Sequence, residues 1–220
     1  MINEIARNLK KEFIIEYRNR YAINISLAFA GISTLAISLV SGGIPFSTHV
    51  QAIMLWVIMF FSAMNGLSHI FFREEEEKTS LLLRLNISAE SVFISKLIFN
   101  IIFFFIIQVI ISALFIFFLS VDVKSAPYFI LSIFLGGLAV SASTTIFGAM
   151  VAKAGGKGSL FTVISFPILL PVLWIAISTT KESLEKVNYM NNGNIIFFLA
   201  FSGVIISLSF LLFRYVWLDQ

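Results

Sequence analysis

Charge is missing from long parts of this chain, and that absence limits its fold more than any motif does. Six stretches hold no Asp, Glu, Lys or Arg: 21–41, 50–72, 97–121, 127–152, 159–180 and 194–213. Each reaches the roughly 20 residues that a helix needs to cross a bilayer core. Lipid cannot satisfy backbone polar groups, so the spanning segments must be helical. A β-barrel would show alternating segments of about ten residues, and none occur. Charged residues make up 12% of the 220, about half the usual soluble share and too few to cover a water-soluble surface. Without cysteine the chain is no disulfide scaffold, and 25 Phe rule out disorder. The sequence predicts an all-α membrane protein with six transmembrane helices in one domain, 1–220.

Basic residues orient the spans. Twelve of the fifteen Lys and Arg fall in the N-terminal segment, the second and fourth connections and the tail. Lys124, Lys181 and Lys186 are left for the other side. Both termini are therefore expected in the cytoplasm. The first apolar run is too long for a signal-peptide core, so no cleaved leader is expected. No internal repeat is visible.

Two segments outside the spans carry information. In residues 1–20, Ile2, Ile5, Ala6, Leu9, Phe13 and Tyr17 recur at three- and four-residue spacing. Glu4, Arg7, Asn8, Lys11 and Arg18 fill much of the other face, with Lys10 adding to the basic set. This predicts an amphipathic helix lying at the membrane interface among lipid headgroups. The second connection, 73–88, begins with Glu74, Glu75, Glu76 and Glu77 and ends near Arg84, the order that a helix dipole favours. Glu74 and Lys78 have a stabilising spacing, and Leu81, Leu82, Leu83 and Leu85 give an apolar side too short to span. A short cytoplasmic helix is expected there, covered by a protein partner. Ser88 reads as the N-cap of the next span, with Glu90 in its first turn.

Within the spans, Gly137, Ser141, Thr145 and Ala149 form a ladder of small side chains, which allows close helix packing inside the subunit or across a homodimer. Pro167 and Pro171 remove backbone donors one turn apart, which marks a bend or a hinge. His69 is the one ionisable residue inside a span, near its end; ion-coupled carriers keep more. His49 is the other histidine, and neither belongs to a ligand set, so no metal or cofactor is expected on this chain. No Ser, His and acidic residues group as a protease requires. Gly155-Gly156-Lys157-Gly158-Ser159 fails as a phosphate loop, because Gly follows the lysine and no strand precedes it. It reads as a turn. Nucleic acid is not an expected partner, and any energy source must lie in another polypeptide.

Three stretches resemble a known family. They are Leu9-Lys10-Lys11-Glu12-Phe13 through Arg18; Leu55-Trp56 with Phe72-Arg73-Glu74-Glu75 and Thr79-Ser80-Leu81 through Lys96; and Gly155-Gly156-Lys157-Gly158 followed by Phe166-Pro167-Ile168-Leu169-Leu170-Pro171-Val172-Leu173. In order and spacing they are similar to the B component of the cytochrome c maturation system, the haem exporter permease. The resemblance implies an ABC-2 (type V) exporter permease, not itself an enzyme, in a bacterial inner membrane. It implies a second copy of the chain, two copies of a cytoplasmic ATPase holding ATP and magnesium, a haem-handling membrane partner and a haem chaperone, with haem handled by the complex. It implies also that Glu74 to Leu85 form the coupling helix in a groove of the ATPase. The other readings are an ABC-2 permease for a lipid, drug or polysaccharide, and a membrane scaffold without transport.

Overall fold

The computed structural model describes residues 1–67, 73–74, 79, 83, 85–153, 158–185 and 192–218. Among these residues the chain forms seven helices and no strand: α1 (Ile2–Asn19), α2 (Tyr21–Ser41), α3 (Thr48–Leu67), α4 (Ala89–Leu119), α5 (Ala126–Lys153), α6 (Gly158–Leu184) and α7 (Asn192–Leu218). The last six are each long and apolar enough to cross a membrane, so the chain is an all-α, multi-pass membrane protein.

α5 is the most enclosed of the six, while α2 and α7 are the least. It packs against α4, α6 and α7, whereas α3 fills the space between α2 and α6. Aromatic side chains make much of the core; Trp56, Phe60, Phe93, Phe99 and Phe104 are all buried. Gly136 lets α5 approach the Trp56 ring of α3, since a Cβ at that position would overlap the indole. The Trp56 indole N–H donates to Thr180 Oγ1 at 2.8 Å, which satisfies its one polar group.

The small-residue ladder lies inside the subunit. Gly137 faces the Gln108 amide of α4, which a Cβ would strike. Gln108 donates from Nε2 to Ile133 O at 3.1 Å. Asn100 Nδ2 donates to Thr145 Oγ1 at 2.8 Å, and Thr145 passes its own proton to Ser141 O at 2.7 Å. Ala149 is buried. Small side chains on α5 thus make room for two amides on α4, eight residues apart and bonded where no water could serve them.

α4 starts earlier than the uncharged stretch does. Its first helical residue is Ala89, after Ser88, whose side chain accepts from Ser91 N, as the N-cap reading expects. Eight residues that the charge pattern leaves to the connection, Ala89 to Lys96, are therefore part of the helix. Pro167 and Pro171 lie within α6, which continues through both.

Candidate functional site

α1 has an outward side and an inward one. On the outward side exposed apolar residues, Ile2, Phe13, Ile14 and Tyr17, mingle with the exposed basic residues Arg7, Lys10 and Arg18. The inward side is polar yet turned into the protein: Asn8, Glu12 and Glu16 are 2%, 1% and 5% exposed. With Glu4 they form a ladder at four-residue spacing, which puts them on one side of the helix.

Each rung meets a partner on another helix. Glu4 Oε2 accepts from Ser88 Oγ at 3.2 Å and from Ser91 Oγ at 3.0 Å. These bonds, Ser91's first, hold the Glu4 carboxyl below its ordinary range. Asn8 Nδ2 donates to Ser95 Oγ at 2.5 Å. Glu16 Oε1 accepts from Ile23 N at 3.0 Å, satisfying one of the free N–H groups at the start of α2. The chain turns between α1 and α2 at Arg20, whose φ is 53°.

Glu12 is the centre of the ladder. Its Oε1 lies 3.0 Å from Lys96 Nζ and 3.3 Å from Lys11 Nζ, and its Oε2 lies 2.9 Å from an Arg73 guanidinium nitrogen. Lys96 and Lys11 reach in turn to Glu74, at 3.0 Å and 2.7 Å. Glu12, Lys96, Glu74 and Arg73 are all buried. Among the described residues, two carboxylates therefore share three cations. Burial pushes the Glu12 carboxyl up, but the opposite effect of Lys96, Lys11 and Arg73 is greater and holds it at about 2. An ion taken out of water carries a penalty of several kcal/mol, about what close pairing must return. Only Lys11 keeps a partly exposed side chain. Clefts of about 310 and 330 Å³ meet at Lys11 and Asn86; Arg7 and Asn8 line the first, Arg73, Thr79 and Leu83 the second.

The cluster fixes the inner side of the segment that leads into α4. Thr79 N donates to Glu74 O, Leu83 N to Thr79 O and Ile87 N to Leu83 O, so the last two bonds have helical spacing. Leu83 is buried and Leu85 is 83% exposed. Of the residues predicted to face a partner, Glu74 and Leu83 are thus turned into the subunit, and Leu85 is turned out. Glu75, Glu76, Glu77, Leu81, Leu82 and Arg84 lie outside the described residues, as do His69 and the turn around Lys157. His49 is exposed in the first turn of α3.

Sequence reasoning assigned no role to Glu12, Lys96 or Arg73, and it counted Lys96 among the charges of a connection. Two signals were present. Glu4, Asn8, Glu12 and Glu16 keep a strict four-residue spacing, and Ser88 caps a helix that carries Lys96 two turns inside.

The family model described as CcmB protein matches residues 3–212, which takes in α1, the ion cluster and all but the last residues of α7. The chain belongs to the CcmB protein family. That family supplies the membrane component of the haem-export ABC transporter of cytochrome c maturation. Its members are permease subunits, not themselves catalytic, and they associate with the ATPase and the other maturation components. Comparison with curated proteins gave no match.

Proposed function

We propose that this CcmB-family chain couples ATP hydrolysis by a cytoplasmic ATPase to events on the outer side of a bacterial inner membrane. Those events are haem delivery or release of the haem-loaded chaperone. Both termini lie in the cytoplasm, in accord with the distribution of Lys and Arg. The complex contains two ATPase copies with ATP and magnesium, a second copy of this chain and a haem-handling membrane partner.

One observation carries the reading. The segment before α4 is held from its inner side by Glu74 and Leu83, while Leu85 is exposed on its outer side. A partner is therefore offered an apolar residue, Leu85, in a connection whose sequence also carries the acidic run Glu75 to Glu77. Basic residues of the ATPase meet that run, and an apolar slot takes the leucines. Within the subunit, Gly137, Ser141, Thr145 and Ala149 keep α5 on α4, and Pro167 with Pro171 give α6 its hinge.

Charge reversal at Glu75, Glu76 and Glu77 together with Leu85→Asp tests the reading. The variant is expected to insert normally and to lose co-purification of the ATPase. Undiminished co-purification would contradict the assignment.

A further inference from the structure

The ion cluster ties the Arg73–Glu74 segment to two helices that already pack on each other, α1 and α4. Glu12 and Lys11 belong to α1, Lys96 belongs to α4, and Arg73 and Glu74 open the segment that the ATPase is proposed to engage. Lys96 is the member that α4 contributes, and it touches both carboxylates. α1 packs mainly on α4 and touches α2 only lightly.

We propose that Lys96 and Glu12 are positioning residues that make α1 and α4 move as one body with the Arg73–Glu74 segment. This inference rests on the coupling reading above and says how motion leaves the docking site. Its physical basis is the burial of the partners. If Arg73 and Glu74 shifted alone, Glu12 and Lys96, both buried, would each lose a close counter-ion. Displacing the whole group keeps every pair closed. Asn8 on Ser95 and Glu4 on Ser88 and Ser91 extend the same attachment along α4. A push on the segment is thus delivered to the first two turns of a 31-residue helix, and α1 travels with it along the interface.

Lys11 and Lys96 allow a matched test. Among the described residues, Glu12 and Glu74 each keep a cationic partner when either lysine is removed. Only Lys96→Met removes the ion pairs that α4 itself makes to Glu12 and Glu74. ATPase turnover is measured in the reconstituted complex of permease and ATPase and compared with the ATPase alone. The expected result is that Lys96→Met keeps the ATPase bound but loses at least four-fifths of the stimulation given by the native chain. Lys11→Met keeps most of it, and Lys96→Arg restores it. Full stimulation with Lys96→Met, or equal loss with Lys11→Met, overturns the inference. If the native chain itself neither binds nor stimulates the ATPase, the coupling reading has failed instead.

A second measurement leaves the cluster intact. The chain has no cysteine, so spin labels can be placed in pairs at introduced cysteines, the first pair being Tyr17→Cys on α1 and Val109→Cys on α4; both sites are exposed. Their separation is expected to stay constant when ATP is added, while each moves relative to a label on α7. A change of several ångström between the two labels contradicts motion as one body.

Discussion

α4 is fastened by different chemistry on two sides. Toward α1 it uses Lys96, an ammonium shared by Glu12 and Glu74. Toward α5 it uses Asn100 and Gln108, neutral amides bonded to Thr145 and to Ile133 O. Lys96 and Asn100 are one turn apart, so the change is abrupt. The neighbouring helix accounts for it. At Lys96 the neighbour is α1, which brings Glu12 to meet the cation. One turn on it is α5, long and apolar enough to cross a membrane, which offers Thr145 instead; an unpaired charge within a span is costly. The charged seam is strong when complete and fragile when a carboxylate is lost. The neutral seam is weaker, and its loss is borne more easily.

The largest effect is expected from breaking the charged seam on its acidic side. Glu12→Gln leaves Lys11, Arg73 and Lys96 with Glu74 as the one carboxylate among the described residues, and breaking a buried pair in this way costs about 3–5 kcal/mol. Lys96→Met leaves each carboxylate a cationic partner and is expected to cost less than half as much. Thermal unfolding in detergent, followed by the loss of helical signal, gives both values. Equal losses would mean that packing rather than charge balance governs the site.

Acid separates the seams next. The Glu12 carboxyl is held at about 2, below the ordinary 4.5. The folded state therefore binds fewer protons than the unfolded one, and the stabilisation is complete above pH 4.5. It is lost as the pH falls from about 4.5 to 2. A melting series over that window should decline for the native chain and be flatter for Glu12→Gln. The amide seam titrates nowhere in this range, so variants at Asn100 should keep the native slope.

A smaller effect is expected from Gly137→Val, which puts a branched side chain against the Gln108 amide. Overpacking of this kind costs about 1–3 kcal/mol. Gly203, with nothing near its missing Cβ, should accept Val with little change. A similar loss at both positions would remove the argument that the ladder makes room for the amide.

The spans were legible in the sequence because crossing lipid demands long uncharged stretches, which no other requirement imitates. The helix of residues 1–20 was legible too, from the recurrence of Ile2, Leu9, Phe13 and Tyr17. Which of its polar residues are buried was not. A solvated face and a docked face both consist of charged residues at helical spacing, and only the partner helix tells them apart. Lys96 was legible only in part: the Ser88 cap puts it inside the helix, but a cation beside an apolar run also reads as the edge of a membrane span, which hid its burial. Opposite Glu12 and Glu74 it sits inside the helix, two turns past the cap. Asn100 and Gln108 could have been found by matching their spacing to Gly137 and Thr145 across the α4–α5 pair.

The most direct test of the two-seam account is a pair of double-mutant cycles on unfolding stability. One uses Glu12→Gln with Lys96→Met, the other Asn100→Leu with Thr145→Val. The charged pair is expected to show a coupling of about 2–3 kcal/mol, at the upper end for residues in one buried network. The amide pair should give about 0.6 kcal/mol, near the average for hydrogen bonds between spans. Equal couplings, or a larger one at Asn100 and Thr145, would contradict a charged junction at α1 and a neutral seam at α5.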